Sequence, residues 1–191
     1  MDDQDGSEKV SIGEDFQFLD VYHKPIKYYK KRLKIAMEIG DRSAEGTAYG
    51  NLGIAYCSLG DYRRAIDYLE KSLKIAIDFG DRRLEGTAYG YLGSAYNSLG
   101  DSRKAIDYLE KYLKIAIEFG DRREEGAAYG DLGIAYNSLG DFRKAIDYLE
   151  KSVKIAIEIG DRRLEHWTKK WIYLCLQTEQ MYCKFGAPNL N

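Results

Sequence analysis

Residues 81–120 read DRRLEGTAYGYLGSAYNSLGDSRKAIDYLEKYLKIAIEFG, and the string returns at 121–160 with eight changes: Leu84/Glu124, Thr87/Ala127, Tyr91/Asp131, Ser94/Ile134, Ser102/Phe142, Tyr112/Ser152, Leu113/Val153 and Phe119/Ile159. Residues 41–80 fall in the same register without a gap. A fixed period in this range marks stacked units rather than one closed core. Such arrays usually present an extended surface to a partner. Within 41–80, Ala48, Tyr49, Leu52, Ala55, Tyr56 and Leu59 recur at helical spacing. Gly60 stops that pattern and Asp61 restarts it, with Tyr62, Ala65, Ile66, Leu69, Leu73, Ala76 and Ile77 on a second apolar stripe. Glycine tolerates the left-handed turn past a helix end, and aspartate caps the free amides of the next helix. Each block is therefore expected to be two antiparallel helices of about 17–18 residues, about 26 Å long.

The first helix of each block carries three glycines, such as Gly86, Gly90 and Gly93. An interior glycine costs about 0.5–1 kcal/mol against alanine. Gly53, Gly93 and Gly133 follow a leucine on the packed side and are expected to admit the partner helix closely, opposite Ala65, Ala105 and Ala145. For Gly50, Gly90 and Gly130 two readings stand: a tight contact between first helices of neighbouring blocks, or a smooth floor for a ligand backbone. The second helix shows a charged outer stripe with four-apart pairs such as Asp67–Lys71 and Glu70–Lys74, each contributing about 0.2–0.5 kcal/mol.

Charged residues make up 31% and hydrophobic residues 45%, an ordinary soluble composition. The net charge of -2 gives no reason to expect nucleic acid. The acidic start MDDQDGSEKV is not expected to act as a secretory signal, and the longest strongly apolar run, residues 171–176, is too short to span a bilayer. Cys57, Cys175 and Cys183 are too few and too scattered for a disulfide framework. A reducing, cytoplasmic location is expected.

These blocks resemble the tetratricopeptide repeat: Tyr49, Leu52-Gly53, Tyr56, Ala65, Leu69 and Ser72, then Tyr89, Leu92-Gly93, Tyr96, Ala105, Leu109 and Tyr112, then Tyr129, Leu132-Gly133, Tyr136, Ala145, Leu149 and Ser152. The usual closing proline is absent, and the second helix runs on to give 40 residues. This lengthened form, with AYGNLG and GDRR punctuation, is similar to the repeats of G-protein-signalling modulators of the Partner-of-Inscuteable type. Nothing in 161–191 looks like their GoLoco motif, so their guanine-nucleotide-inhibitor activity is not carried over. The resemblance implies an all-α fold, an α-solenoid of antiparallel helix pairs closed by a C-terminal capping helix. Its first helices would line a concave groove.

The expected organisation is a disordered tail at 1–8, a degenerate first repeat at 9–40, repeats at 41–80, 81–120 and 121–160, a capping helix at 161–185 and a tail at 186–191. Pro25 is tolerated only in a first turn, so the second helix of the degenerate repeat is expected to start near Lys24. In 161–185 Tyr173 replaces the packing glycine, as a cap allows; the alternative is that Trp167 and Trp171 dock a partner or a second copy. The basic cluster from Lys24 to Lys34 reads as an exposed helix face.

No catalytic constellation is visible. His23 and His166 lie at opposite ends, no cysteine or histidine pair has zinc-ligand spacing, and the glycines sit inside helices rather than after a strand. No enzyme activity, cofactor or metal is expected. The candidate peptide-binding residues are Thr47, Asn51, Ile54, Thr87, Tyr91, Asn97, Asp131 and Asn137, on the first-helix side away from the partner helix. An asparagine amide can pair with both the NH and CO of an extended peptide. Arg82, Arg122 and Arg162 add a ladder in the first turn, where the helix dipole disfavours a cation. They are read either as salt-bridged to Glu85, Glu125 and Glu165 or as a rim that grips an acidic partner segment. The function expected is a scaffold binding a peptide of a partner protein in the groove; the alternative is a homo-oligomer stacking end to end through its terminal helices.

Overall fold

The computed structural model describes the backbone of residues 8–185 and the side chains of residues 24–181. The tails expected at 1–8 and 186–191 lie outside this range, apart from Glu8. The described residues form eight helices, and the chain divides into two compact units, Met1–Gly80 and Asp81–Asn191. The first unit holds α1 (Glu8–Ile39), α2 (Arg42–Ser58) and α3 (Tyr62–Phe79). The second holds α4 (Arg82–Ser98), α5 (Ser102–Phe119), α6 (Arg122–Leu139), α7 (Phe142–Ile159) and α8 (Arg162–Phe185). Within each unit every helix packs on the next in sequence, and α6 also touches α4 and α8. This is the helical repeat array that the period predicts.

The boundaries follow local chemistry. Asp41, Asp61, Asp81, Asp101, Asp121, Asp141 and Asp161 each accept a bond from an amide in the first turn of the following helix. Glycines at every twentieth position from Gly40 to Gly160 take φ between 65° and 86°, the left-handed region that closes the first seven helices. One boundary differs from expectation. α1 is continuous, with Pro25 inside it, so the helix start expected at Lys24 is not there. Proline removes one backbone donor at a cost of about 3 kcal/mol; here that cost does not break the helix.

Each pair closes at a glycine. A Cβ on Gly93 would lie 2.5 Å from Leu109 Cγ, and one on Gly133 would lie 2.6 Å from Leu149 Cγ. Gly53 meets Leu69 in the same way. These three leucines are fully or almost fully buried, and burying a leucine contributes about 1.5–3 kcal/mol. Beside them the pair is laced by stacked tyrosines, Tyr56 on Tyr68, Tyr96 on Tyr108 and Tyr136 on Tyr148, with centroids 5.4, 5.5 and 5.2 Å apart. Lys71, Lys111 and Lys151 lie over these tyrosines, Lys71 Nζ being 5.6 Å from the Tyr49 ring and 5.7 Å from the Tyr68 ring. The four-apart pairing of Lys71 with Asp67 expected from the sequence gives way to this contact, because a ring face lies within reach of the ammonium.

α8 takes the place of a further first helix against α7. Cys175 is fully buried with Ala145 and Leu149, and Trp171, Ile172 and Tyr136 pack around them. α8 thus covers the side of α7 that a further first helix would cover. Among the described residues no helix is long and apolar enough to cross a membrane.

Replacing Gly93 by leucine should drive α4 away from Leu109. Overpacking of this kind costs about 1–3 kcal/mol, a drop of several degrees in melting temperature for a chain this long. Thermal denaturation followed by circular dichroism checks it; equal melting temperatures would contradict the assigned contact.

Candidate functional site

With one side of each first helix closed on its partner, the other side carries the candidate residues. Thr47, Thr87 and Tyr91 are exposed, while Asn51, Ile54, Asn97, Asp131 and Asn137 are half-buried. Thr47 and Thr87 each donate their hydroxyl to a carbonyl four residues earlier, Ser43 and Arg83, at 3.1 Å. In the first unit Thr47 and Asn51 line one cavity of about 310 Å³ with Tyr29 and Arg32 of α1. In the second, Thr87 lines a cavity of about 150 Å³ with Tyr112, Phe119 and Glu124, and Asp131 lines one of about 440 Å³ with Leu164 and Trp167. Ile54, Tyr91, Asn97 and Asn137 line none of these three.

The two asparagines differ. Asn97 Oδ1 accepts a bond from Ser102 Oγ at 3.0 Å. The next block has Phe142 at that position, and Asn137 Oδ1 is buried without a hydrogen-bond partner. Leaving a buried acceptor unpaired costs about 1–3 kcal/mol.

Tyr112 breaks the repeat in a second way. Ser72 and Ser152 donate to the carbonyls of Gly46 and Gly126, at 2.9 and 2.7 Å, and so tie the helix pair together from inside. Tyr112 stands at their position and instead donates to the Glu124 carboxylate on α6. Burial, then the Glu124 contact, raises its phenol far above the ordinary range, so it stays protonated. Gly90 makes room for this ring: a Cβ there would lie 3.3 Å from Tyr112. At Gly130 a Cβ would lie 2.8 Å from Trp167 of α8. Both glycines accommodate an aromatic of the chain itself rather than a bare floor, but only Gly130 meets a neighbouring first-helix position, on α8. Gly90 meets Tyr112 of its own partner helix α5, which corrects the contact between first helices expected there. Asp131 is the most perturbed carboxyl of this face, pushed up to about 7 by desolvation and, secondarily, by Glu124.

The arginine ladder is largely self-paired. Arg82 reaches Glu85 at 2.7 Å and Glu118 at 2.6 Å. Arg122 reaches Glu125 at 2.7 Å and also pairs with Glu158. Both arginine pKa values are raised by these carboxylates. Glu165 is taken by Lys169 at 2.6 Å rather than by Arg162. Sequence reasoning missed Tyr112 and Glu124 as members of the face, and offered Trp167 only as an alternative docking residue of the last helix. A signal for two of them was present, since Leu84/Glu124 and Tyr112/Ser152 are among the eight places where the blocks differ.

A family-level comparison matches the tetratricopeptide repeat over residues 9–78 and 84–158. The chain belongs to the tetratricopeptide-repeat family. Proteins of this family are generally scaffolds for protein–protein interaction and typically carry no catalysis. Among curated proteins the chain is similar to G-protein-signaling modulator 1 of Mus musculus, 40% identical over 42 residues; the match covers 22% of this chain and 6% of the modulator. Among solved structures it is similar to BtubC (BKLC) from P. vanneervenii, with a TM-score of 0.69 and 18% identity over 92% of this chain and 78% of that one. It is also similar to a signal transduction ATPase with a tetratricopeptide repeat sensor from Pyrococcus horikoshii. That match has a TM-score of 0.72 and 25% identity over 89% of this chain and 26% of that one.

The asparagine contrast is testable. Phe142→Ser should give Asn137 the partner that Asn97 has. In a double-mutant cycle of Phe142→Ser with Asn137→Ala, chemical denaturation should show a coupling of about 1 kcal/mol, favouring the new serine when the native Asn137 is kept. A coupling of zero would show that the orphaned amide is not relieved by the hydroxyl.

Proposed function

We propose that the chain is a cytoplasmic scaffold that holds a segment of a partner protein against its first-helix faces. The observation that carries this reading is the asymmetry of the first helices: one side is closed by a glycine–leucine contact, while the other opens onto cavities lined by Thr47 and Asn51, by Thr87, and by Asp131. The mechanism is presentation of a preformed surface, in which binding loses little ordering entropy because the helices are already fixed. A role as a signalling adaptor fits the likeness to the modulator, over the short stretch that matches. A reducing compartment suits Cys57 and Cys175, free thiols that burial makes less acidic, Cys57 being pushed up to about 11. The arginine rim enters this reading in a minor role, since an acidic segment would have to displace Glu118 and Glu158 from Arg82 and Arg122.

A second reading, end-to-end association of copies, draws on α8. Tyr173 is 60% exposed and Met181 57% exposed, with Leu174 and Leu176 also open to solvent. Tyr173 stands where Gly133 stands in α6, so that face of α8 offers apolar surface for a second copy.

Affinity capture with the chain separates the surfaces. A variant carrying Thr47→Arg and Thr87→Arg should lose at least tenfold in recovery of its bound proteins. A control carrying Lys74→Glu and Lys114→Glu on the second helices should keep them. The opposite pattern would contradict the reading. Growth of mass with concentration in light scattering, abolished by Tyr173→Lys, would instead support the second.

A further inference from the structure

We infer that the cleft between α6 and α8 takes a lysine or arginine side chain of the partner segment, its cation lying on the Trp167 ring and facing the Asp131 carboxylate. This rests on the scaffold reading above and assigns the charge class of what is bound.

The cleft is an open cavity of about 440 Å³. Ala127 and Leu164 give it an apolar lining, and Trp167 is 36% exposed there although one edge of its indole packs over Gly130. An aromatic surface that is anchored yet open is suited to a cation or an aliphatic stem. The chain uses the same contact internally: Lys104 lies 5.0 Å from the Tyr96 ring and Lys144 5.1 Å from the Tyr136 ring.

Two carboxylates around the cleft have no cation among the described residues. Arg123 is turned to Asp161 at 3.2 Å, so those two neutralise each other. Glu124 receives the Tyr112 hydroxyl but no cation among the described residues. Asp131, two turns further along α6, has neither a hydrogen bond nor an ion pair among the described residues. Desolvation and the like charge of Glu124 disfavour its anion. Arg163 sits on the rim and is exposed. Asp131 is half-buried and has no cation, whereas the Arg163 guanidinium is on the exposed rim, where a pair contributes little, so a cation is preferred to an anion as occupant. The feature is particular to this block, because Tyr91 and Asn51 occupy the equivalent of Asp131, and Leu84 and Ala44 that of Glu124.

The test uses small probes and needs no knowledge of the partner: N-acetyl-arginine amide, N-acetyl-lysine amide, N-acetyl-norleucine amide and N-acetyl-aspartate amide. Each is titrated into the whole chain while the Trp167 indole and Ala127 amide signals are followed by NMR. The arginine and lysine probes should shift both signals, and Asp131→Asn should weaken them at least fivefold without changing the helical circular dichroism. The cation binds the ionised carboxylate, so a proton competes below the free carboxyl's pKa. The arginine probe should therefore bind about tenfold more tightly at pH 8 than at pH 6. In Asp131→Asn this dependence should vanish, although Glu124, Asp121, Asp161, Tyr112, Arg123 and Arg163 are still present. Equal binding of norleucine amide, tighter binding of aspartate amide, a flat pH profile in the parent chain, or no response to any probe would each overturn the inference. None of these results touches the Thr47/Thr87 capture, whose failure alone would count against the scaffold reading.

Discussion

How closely two helices of a pair can approach is set where a glycine meets a leucine: Gly53 under Leu69, Gly93 under Leu109, Gly133 under Leu149. Most other features follow from that distance. The tyrosine stacks form because α2 and α3, α4 and α5, and α6 and α7 stand near enough for ring to meet ring. The serine bonds from Ser72 to Gly46 and from Ser152 to Gly126 need the same approach. A first helix rich in glycine has poor helical propensity of its own, so its order comes from the partner helix that the glycine admits. Because one side is spent on this contact, the opposite side is left for other use.

The fold was legible because the period, the Gly-Asp punctuation and the apolar spacing all point to the same structure, and each has a direct physical cause. Pro25 shows where that legibility ends. A proline weakens a helix by a known amount, but whether a chain continues through it depends on packing that a local rule does not contain. The candidate face was read less completely. Thr47, Asn51, Thr87 and Asp131 line cavities, while Ile54, Tyr91, Asn97 and Asn137 line none of them. Asn97 and Asn137 were equivalent by sequence register and are unequal in the structure, since the residue five positions on is Ser102, which donates to Asn97, in one block and Phe142, which cannot, in the next. Tyr112 and Trp167 entered the face because each reaches a neighbouring first helix, over Gly90 and Gly130, and such reach follows from side-chain direction rather than from spacing.

Repetition and its exceptions divide the work in this chain. The positions that recur in every block, the capping aspartates, the turn glycines and the leucine–glycine pairs, hold the helices together. Several positions that change between the last two blocks lie on the open face: Leu84/Glu124, Thr87/Ala127 and Tyr91/Asp131. A scaffold can vary such residues at little cost to folding. The arginine ladder belongs mainly to the first group: Arg42, Arg82 and Arg122 each bind a glutamate three residues on, and the latter two also reach across to α5 and α7. A solvent-exposed pair contributes only about 0–1 kcal/mol, so this ladder trims the electrostatics of helix starts without dictating the fold.

The contact between Gly133 and Leu149 can be measured on its own terms by a double-mutant cycle of Gly133→Ala and Leu149→Ala in chemical denaturation. Adding a methyl group at Gly133 conflicts with the leucine; removing the leucine opens space for that methyl. The account predicts that the double variant is less destabilised than the sum of the singles by at least about 1 kcal/mol. Additive effects, to within about 0.5 kcal/mol, would mean that the two residues do not govern the approach of α6 and α7, and the account would fail at its base.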